Sequence, residues 1–328
     1  MSLKRRVLKL MEQNRDEFIS GEVLAKNFDV SRTAINKAIN GLRDEGYLIE
    51  SVTNKGYRLK RNNDILSVEG ILPYLSKGYK GKLFVYDTLE STNKTAKEIA
   101  VGDCISGSCV IANSQTKGRG RLNRDFYSPK DSGVYMSYIL KPEVDADIYN
   151  VVTVAACIAV CRAIYKLTGK KAGIKWVNDI LLNGKKVCGI LTEGVYDLEN
   201  GRISLVVIGI GINVSTDDFP EDIQTIAGSL TDDKKDFVLR NRLIGEVINE
   251  LEELTMPESL KGREFINEYR ENSLVIGKDV ELSVWDKKFK VHVLDIDDNG
   301  GLVVRHEDNS IESLNYGEVS LRWSDLNE

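Results

Sequence analysis

Residues 114–124 read SQTKGRGRLNR, and the chain is organised around this basic, glycine-rich stretch. Glycine lets the backbone adopt positive φ angles and approach a ligand closely, and arginine offers a planar fork of donors that matches carboxylate and phosphate oxygens. The apolar residues 109–112 and 134–140 predict core strands on either side. A solvated basic turn is the alternative interpretation. Because the loop is held between two strands, the sequence favours an anion-binding site.

The composition indicates a globular protein of two or three domains. The chain has 328 residues, of which 42% are hydrophobic, and its five cysteines form no CxxC pair. No continuous apolar run reaches the roughly 18 residues that span a bilayer, and the basic N-terminus lacks the apolar region of a signal peptide. We therefore expect a cytoplasmic protein without membrane contacts. Cys157 and Cys161 would share a helix face, but with no histidine nearby they predict buried thiols instead of a metal site.

Charge is distributed unevenly along the chain. Residues 1–61 carry 13 lysines and arginines against 8 aspartates and glutamates, a net charge of +5. The other residues carry 32 basic against 42 acidic side chains, a net charge of −10. A basic head on an acidic body predicts that only the head meets a polyanion.

The basic head has the pattern of a winged helix-turn-helix. Three helices are predicted at about 3–11, 20–27 and 32–45, and two wing strands at 46–49 and 56–59. One side of the third helix is apolar and the other is polar, with side chains suited to base edges and phosphates. The candidate DNA-binding residues are Ser31, Arg32, Thr33, Asn36, Lys37, Asn40 and, near the tip of the wing, Lys55. A helical module for protein contacts is the alternative, and the positive charge favours DNA. A polar linker at 61–64 ends this domain near residue 62.

Two central stretches combine polar residues with predicted strands. Residues 90–96 (ESTNKTA) begin a helix after a strand at 83–87, and N-capping by Ser91 or Thr92 explains them as well as ligand binding does. Residues 175–182 (KWVNDILL) predict one strand, and a turn at 183–184 leads into a returning strand at 185–191. This hairpin would bring Lys186 onto the same sheet as Lys175 and Asp179. For Lys186 alone, a charge that protects a sheet edge is a slightly better explanation.

Two apolar stretches and the C-terminal part complete the pattern. Residues 150–168 predict a core helix, and residues 205–213 (LVVIGIGIN) predict a buried strand that ends in a glycine-spaced turn. The latter lacks the third glycine and the following helix of a dinucleotide-binding fingerprint. Helices are predicted at 237–254 and 265–269. A small β-barrel, in which no residue stands out, is then predicted from short strands at 280–284, 290–294, 302–305 and 310–314 and a turn at 297–301.

Four of these motifs together resemble those of biotin protein ligases. They are the loop at 118–124, KWVND at 175–179, KVCGIL at 186–191 and GIGIN at 209–213, in the order and approximate spacing of that family. With its N-terminal winged helix, the chain resembles the bifunctional members, which also repress biotin synthesis and uptake genes. The family's GRGRxGR has Asn123 in place of the last glycine, and asparagine tolerates the left-handed conformation that the turn needs. Its KWPND has Val177 in place of proline, which removes no reacting group.

The resemblance implies an α+β, multidomain fold. It comprises a winged helix-turn-helix at 1–62, a class II aminoacyl-tRNA-synthetase-like mixed α/β ligase domain at 63–272 and an SH3-like β-barrel at 273–328.

The resemblance also implies an activity that uses ATP, Mg²⁺ and biotin. The biotin carboxylate attacks the ATP α-phosphate to give biotinyl-5′-AMP, and a lysine of the biotin carboxyl carrier protein domain of acetyl-CoA carboxylase, or of another biotin enzyme, then accepts biotin. Neither step needs an enzyme nucleophile, and both need charge neutralisation and alignment. The only histidines, His292 and His306, lie far from every motif. As corepressor, biotinyl-5′-AMP would favour a homodimer that binds operator DNA.

Residue roles follow from the motif matches. The implied biotin-binding residues are Ser91, Thr92, Asn93, Gln115, Gly118, Arg119, Gly120, Arg121, Lys186 and Gly189. The implied ATP-binding residues are Arg119, Arg121, Arg124, Lys175, Asn178 and Asn213. The implied catalytic residues are Arg121, Lys186 and Asp179. Asp179 would lie at the Mg²⁺–phosphate end or at the acceptor lysine. No metal ion is expected to be held by the protein alone. Because its arginines repel one another, the loop is expected to be disordered until a ligand orders it.

Two alternatives remain open at this point. One is a biotin-sensing transcription factor without ligase activity, although the chain keeps Arg119, Arg121, Lys175 and Lys186, which a sensor does not need. The other is a lipoate ligase of the same catalytic fold, against which the complete arginine–glycine loop and the winged helix argue.

Overall fold

The computed structural model describes residues 1–102, 104–141, 148–197, 202–231, 239–284 and 287–320. These residues belong to two compact units. Unit 1 contains Met1–Lys77 and Leu239–Gly245, and unit 2 contains Gly78–Val238 and Glu246–Glu328.

Unit 1 contains the expected helix-turn-helix and wing. Its elements are α1 (Leu3–Gln13), α2 (Gly21–Phe28), α3 (Arg32–Asp44), the antiparallel strands β1 (Ile49–Val52) and β2 (Gly56–Leu59), and the short α4 (Val68–Ile71). The Ser31 side chain accepts from the Ala34 N–H at 3.1 Å and so caps the N-terminus of α3. The first wing strand begins at Ile49 and not at residue 46. Gly46, at φ 91°, instead ends α3, where the Tyr47 N–H still bonds to Leu42 O.

Unit 2 is built on a seven-stranded sheet. The strands are β3 (Leu83–Leu89), β4 (Cys109–Gln115), β5 (Gly133–Leu140), β6 (Gly173–Lys175), β7 (Asp179–Leu182), β8 (Lys185–Asp197) and β9 (Arg202–Asn213). Their order is β3-β4-β5-β9-β8-β7-β6, and only the β3–β4 pair is parallel. The helices are α5 (Thr92–Ala100), α6 (Ile148–Thr168), α7 (Arg240–Leu254), α8 (Pro257–Gly262) and α9 (Phe265–Glu271). The first residues of α7 belong to unit 1, and α8 was not expected.

Helix α6 corrects one expectation. By length and composition alone, Asn150–Thr168 is apolar enough to cross a membrane, although no such run was expected. In the structure 72% of its most apolar window is buried, because α6 packs on β8 and α9. It is the predicted core helix.

A second, antiparallel sheet lies at the C-terminal end of unit 2. Its strands are β10 (Asp279–Val284), β11 (Lys287–Ile296), β12 (Leu302–Arg305), β13 (Ile311–Leu314) and β14 (Glu318–Ser320), in the order β13-β12-β11-β10-β14. Four of these strands were predicted and β14 was not. Residues 237 and 238, which begin a predicted helix, lie outside the described part of the chain.

Two predicted strands differ in detail. The single strand expected at 175–182 is a tight hairpin of β6 and β7, in which Lys175 pairs with Asp179 across a turn. Asn178 fixes that turn by donating to Ile190 O at 2.7 Å and accepting from the Ile190 N–H through its own carbonyl at 3.0 Å. Gly209 and Gly211 lie inside β9 and do not form the expected turn. Side chains of the pocket described next occupy the space where their Cβ atoms would be.

Candidate functional site

An open cavity of about 280 Å³ lies in unit 2, above the central strands of the sheet. Fourteen of the fifteen residues expected to bind biotin or ATP or to act in catalysis line it: Ser91, Thr92, Asn93, Gln115, Arg119, Gly120, Arg121, Arg124, Lys175, Asn178, Asp179, Lys186, Gly189 and Asn213. Gly118 lies just outside the lining. A Cβ there would come within 2.4 Å of Phe126 O, so glycine allows the loop to close on itself.

The start of α5 presents Ser91 to the cavity. Ser91 occupies the N-cap position, but its side chain makes no capping hydrogen bond, so the N-capping explanation is wrong for this residue. Gln115 on β4 takes that role, because its Oε1 accepts from Thr92 N at 2.8 Å and from Thr92 Oγ1 at 3.1 Å. Its Nε2 donates to Ser128 Oγ at 3.0 Å. The arrangement leaves the Ser91 hydroxyl for a ligand.

Lys186 and Asp179 form a half-buried ion pair in the cavity wall. Lys186 Nζ lies 2.6 Å from Asp179 Oδ1, so the hairpin does bring the two together. Strand β8 lies inside the sheet, and the Lys186 backbone pairs with Leu181 on one side and Ala227 on the other. The sheet-edge explanation for Lys186 is therefore wrong. The ammonium is held by a carboxylate and directed at the cavity.

The arginine loop crosses the cavity and is anchored on the C-terminal sheet. Arg121 donates to Asn178 Oδ1 at 3.3 Å and to Gly317 O at 3.2 Å. Arg124 forms a bidentate pair with Glu318, with N–O distances of 2.5 and 2.7 Å. These hydrogen bonds hold the pKa of the Glu318 carboxyl below its usual value. Arg119 is exposed, and among the described residues its side chain has no ion-pair partner.

The turn of this loop uses two residues in the left-handed region. Asn123 has φ 58°, which confirms that asparagine keeps the turn that glycine makes in the family pattern. Leu122 has φ 55°, and the residue is 72% exposed. No sequence signal marked Leu122, because leucine rarely adopts this conformation.

Aromatic and aliphatic side chains form the apolar part of the cavity. They include Leu122, Phe126, Tyr127, Trp176, Phe219, Ile223 and Ile226, none of which was among the expected site residues. Phe126 lies over Gly211, where a Cβ would meet its ring at 2.4 Å. Glu318 was missed as well. The aromatic pair directly after the arginine loop is the one signal that would have indicated this wall.

Asn213 offers an unused acceptor. Its Nδ2 donates to Gly228 O at 3.1 Å, whereas its Oδ1 is buried and has no hydrogen-bond partner among the described residues. A buried amide oxygen without a partner is unfavourable. Since Asn213 lines the cavity, a ligand that places a donor here would remove this penalty.

The cavity contains no nucleophilic or metal-binding cluster in the described part of the chain. No cysteine or histidine lines it, and the described residues include no group of three metal-binding side chains. Cys157 on α6 and Cys188 on β8 are buried, and burial raises the pKa of both thiols. The lining arginines and lysines supply positive charge that can neutralise anionic reactants.

The residues expected to contact DNA lie on one exposed surface of unit 1. Ser31, Arg32, Thr33, Asn36, Lys37, Asn40 and Lys55 are all exposed. Asn40 Nδ2 donates to Asn36 Oδ1 at 2.9 Å, and Arg43, which was not expected, donates to Asn40 Oδ1 at 3.2 Å. At the wing, Lys55 Nζ lies 5.8 Å from the centre of the Phe18 ring, a contact that orients the lysine.

Comparison with characterised proteins identifies the family. The chain is 36% identical to the bifunctional ligase/repressor BirA of Bacillus spizizenii, over 98% of this chain and 99% of that protein. It is 32% identical to BirA of Escherichia coli, over 93% of this chain and 94% of the other. The chain belongs to the biotin protein ligase family.

Family patterns divide this bifunctional biotin protein ligase into three matched regions. A helix-turn-helix domain matches residues 4–58, the biotin/lipoate A/B protein ligase family matches 85–213, and the biotin protein ligase C-terminal domain matches 275–322. Among solved structures, the biotin protein ligase from Aquifex aeolicus in complex with biotin and ATP is 27% identical. It aligns with a TM-score of 0.60 over 74% of this chain and 98% of that one.

Proposed function

We propose that the chain is a biotin–[biotin carboxyl carrier protein] ligase that also represses biotin genes. The observation that carries the proposal is the convergence of Arg119, Arg121, Arg124, Lys175 and Lys186 on one cavity in which no cysteine or histidine is among the described lining residues. Such a site stabilises negative charge on bound reactants without forming a covalent enzyme intermediate. Attack of a carboxylate on the α-phosphate of ATP needs this kind of stabilisation.

The biotin end lies at the start of α5. Ser91 and Thr92 face the cavity with hydroxyl groups, and Gln115 closes the turn behind them. These groups suit the ureido ring of biotin, which has two N–H donors and a carbonyl acceptor. Lys186 lines the same cavity, and its ammonium would contact the biotin carboxylate and the α-phosphate. In this geometry Asp179 fixes the position of Lys186.

The nucleotide end lies beside β9 and the aromatic wall. The free Oδ1 of Asn213 accepts a donor, such as the exocyclic amine of adenine, and Phe219 and Ile223 offer apolar surface to the base. Arg119 and Arg121 would contact the phosphates, with Gly120 allowing close approach. Lys175, Asn178 and Arg124 also line the cavity and would lie at the nucleotide end. Arg124 would have to divide the N–H donors of its guanidinium between phosphate and Glu318.

Mg²⁺ fits this cavity only as a companion of ATP. The lining carboxylates are Asp125, Asp179 and Glu318, and the last two are paired with Lys186 and Arg124. Mg²⁺ commonly binds through one or two carboxylates plus substrate phosphates and water. Asp179 is the residue that would complete such a shell, and the ion would supply neutralisation of phosphate charge.

In the second half-reaction, the amine of a carrier-protein lysine attacks the acyl carbon of biotinyl-5′-AMP, and AMP leaves. Lys186 would stabilise the charge that develops on the carbonyl and phosphate oxygens, since it faces the same point in both steps. The implied acceptor is the biotin carboxyl carrier protein domain of acetyl-CoA carboxylase or of another biotin enzyme.

The repressor function rests on unit 1. Asn36 and Asn40 on α3 present amides suited to base edges, and Lys37 and Lys55 present charges suited to phosphates. We infer that biotinyl-5′-AMP acts as corepressor by favouring a homodimer that binds operator DNA. We also propose the finer fold assignments: domain limits at residues 62 and 272, a class II aminoacyl-tRNA-synthetase-like ligase domain and an SH3-like C-terminal domain, in a cytoplasmic protein.

The first prediction concerns Lys186. Biotin-dependent exchange of pyrophosphate into ATP measures adenylate formation, and Lys186→Ala should lower its rate by about a hundredfold or more, because one charge-stabilising donor is lost. Lys185→Ala is the matched control, since Lys185 is exposed on the same strand outside the cavity. Arg121→Ala should release the adenylate faster, because it loses one of the loop's phosphate contacts.

Two outcomes would contradict the proposal. Tight biotin binding without exchange in the wild-type chain would leave a biotin-sensing repressor without ligase activity. Exchange that depends on lipoate and not on biotin would identify a lipoate ligase.

A further inference from the structure

Asn93 is buried beneath the candidate biotin site, and the protein itself uses the polar atoms of its amide. Its side chain belongs to the first turn of α5, and the residue is only 6% exposed. Nδ2 donates to Leu191 O at 3.2 Å and to Glu193 Oε2 at 2.8 Å. Oδ1 accepts from Ser137 Oγ at 2.6 Å, and Ser137 is fully buried. Both amide hydrogens are therefore used before any ligand arrives.

These hydrogen bonds span three strands around one glycine. Strand β9 lies between β5 and β8, and Gly209 pairs with Ser137 on one side and with Leu191 on the other. A Cβ on Gly209 would lie 2.2 Å from Asn93 Oδ1. The amide thus lies directly over Gly209 and bonds to both of its neighbours, which explains why this strand position needs glycine.

These contacts allow Asn93 to fix the positions of the residues that face the cavity. Ser91 has no capping hydrogen bond, so its place in the cavity depends on where the backbone at the start of α5 is held. Gln115 holds Thr92 from β4, and Asn93 holds the same turn from below. We propose that Asn93 is a positioning residue, which sets biotin affinity by fixing Ser91 and Thr92 over the sheet and not by bonding to biotin itself. This inference rests on the proposed function.

The direct test is Asn93→Asp in the full-length chain. The change keeps the shape of the side chain and the acceptor for Ser137, but it removes both donors and places a carboxylate against Leu191 O and Glu193. Loss of buried donors should raise both the KM for biotin in pyrophosphate exchange and the Kd for biotin without ATP by about tenfold or more. The KM for ATP should stay within about twofold, because the nucleotide end is held by other residues.

A second substitution tests the role of the hydrogen bond itself. Glu193 does not line the cavity, and Glu193→Gln can donate where the carboxylate could only accept. In the Asn93→Asp background this change reverses the polarity of the 2.8 Å hydrogen bond and should recover part of the biotin affinity. Recovery stays partial because Leu191 O still faces a carboxylate. A simple loss of core stability would not be repaired in this way.

Two variants separate positioning from general destabilisation. Thr192 lies between Leu191 and Glu193 on β8, outside the cavity, and its buried hydroxyl bonds to Thr153 at 2.8 Å. Thr192→Val removes this hydroxyl and should leave the KM for biotin unchanged. Ser137→Ala removes the partner of Asn93 Oδ1 without touching the cavity, and it should raise the KM for biotin in the same direction as Asn93→Asp, by less. Ser137→Ala serves as the test if Asn93→Asp does not fold.

Each outcome has a defined meaning. An unchanged KM for biotin in both Asn93→Asp and Ser137→Ala would overturn the positioning role while the wild-type ligase activity stands. Equal increases in the KM for biotin and for ATP would also overturn it. Absence of biotin binding and of exchange in the wild-type chain would instead refute the proposed function.

Discussion

At the scale of single residues, backbone conformation decides whether the arginine loop keeps its shape. Asn123 has φ 58° between the two arginines that contact the C-terminal sheet, Arg121 and Arg124. Asparagine adopts this region at modest cost, whereas a β-branched residue is strongly disfavoured there. The substitution seen relative to the family pattern is therefore conservative in backbone terms.

Asn123→Val should distort the turn, weaken the Arg124–Glu318 pair and raise the KM for ATP in pyrophosphate exchange by about tenfold, since left-handed backbone costs such a residue about 1–2 kcal/mol or more. Asn123→Gly is the matched control and should retain wild-type KM values, because glycine has no Cβ to strain. Equal KM values for the valine and glycine variants would show that the turn does not depend on φ at this position.

At the scale of elements, sequence patterns predicted most strands and helices but missed a turn that depends on contacts with another strand. Periodicity and turn residues located α3, β4, β5, β8 and most of the C-terminal sheet. The sequence predicts one strand where β6 and β7 form a hairpin, because KWVND lacks the glycine or proline of an ordinary turn. Closure of the hairpin depends on Asn178 bonding to Ile190 on another strand. Such tertiary contacts leave no local signature.

The candidate site contains some residues that the sequence predicts and others that it does not. Charged and glycine residues were predictable because positive charge on a short loop is costly unless an anion is bound. Glu318 was not, because it lies almost 200 residues from its partner Arg124 and looks like an ordinary surface acid. Phe126 was not, because an aromatic residue after a loop is equally typical of core packing. Geometry was needed to assign both.

Gly211 on strand β9 provides a test of the cavity wall. Gly211 has no room for a side chain, because a Cβ would approach the Phe126 ring to 2.4 Å, and that ring forms part of the cavity wall. Gly211→Ala should displace the ring and raise the KM for biotin about tenfold, since overpacking costs about 1–3 kcal/mol. Gly262→Ala, on α8 with no atom within 4 Å of the added methyl, should change no kinetic constant. If Gly211→Ala behaves like the control, Phe126 does not shape the site.

At the scale of the whole molecule, charge separates the two activities. The first 61 residues carry a net charge of +5 and the others −10, so DNA is attracted to the helix-turn-helix and repelled by the remainder. The catalytic cavity concentrates its own positive charge on a few loop and strand residues. A change to a lysine of unit 1 that we propose contacts phosphate should therefore affect DNA binding without affecting catalysis.

Lys37 provides the test of this separation. Lys37 is exposed on α3 beside the polar face. Removal of one phosphate contact weakens DNA binding equally for all sequences. It also lowers the slope of log affinity against log salt by about one per contact. Lys37→Ala, measured on operator DNA with biotin and ATP present, should show both effects and should leave pyrophosphate exchange at the wild-type rate. Lys261→Ala, which removes an equally exposed lysine from unit 2, keeps the same change in net charge and should leave the salt slope unaltered. If both variants lower affinity equally, the total charge of the protein governs DNA binding, and a direct phosphate contact by Lys37 does not.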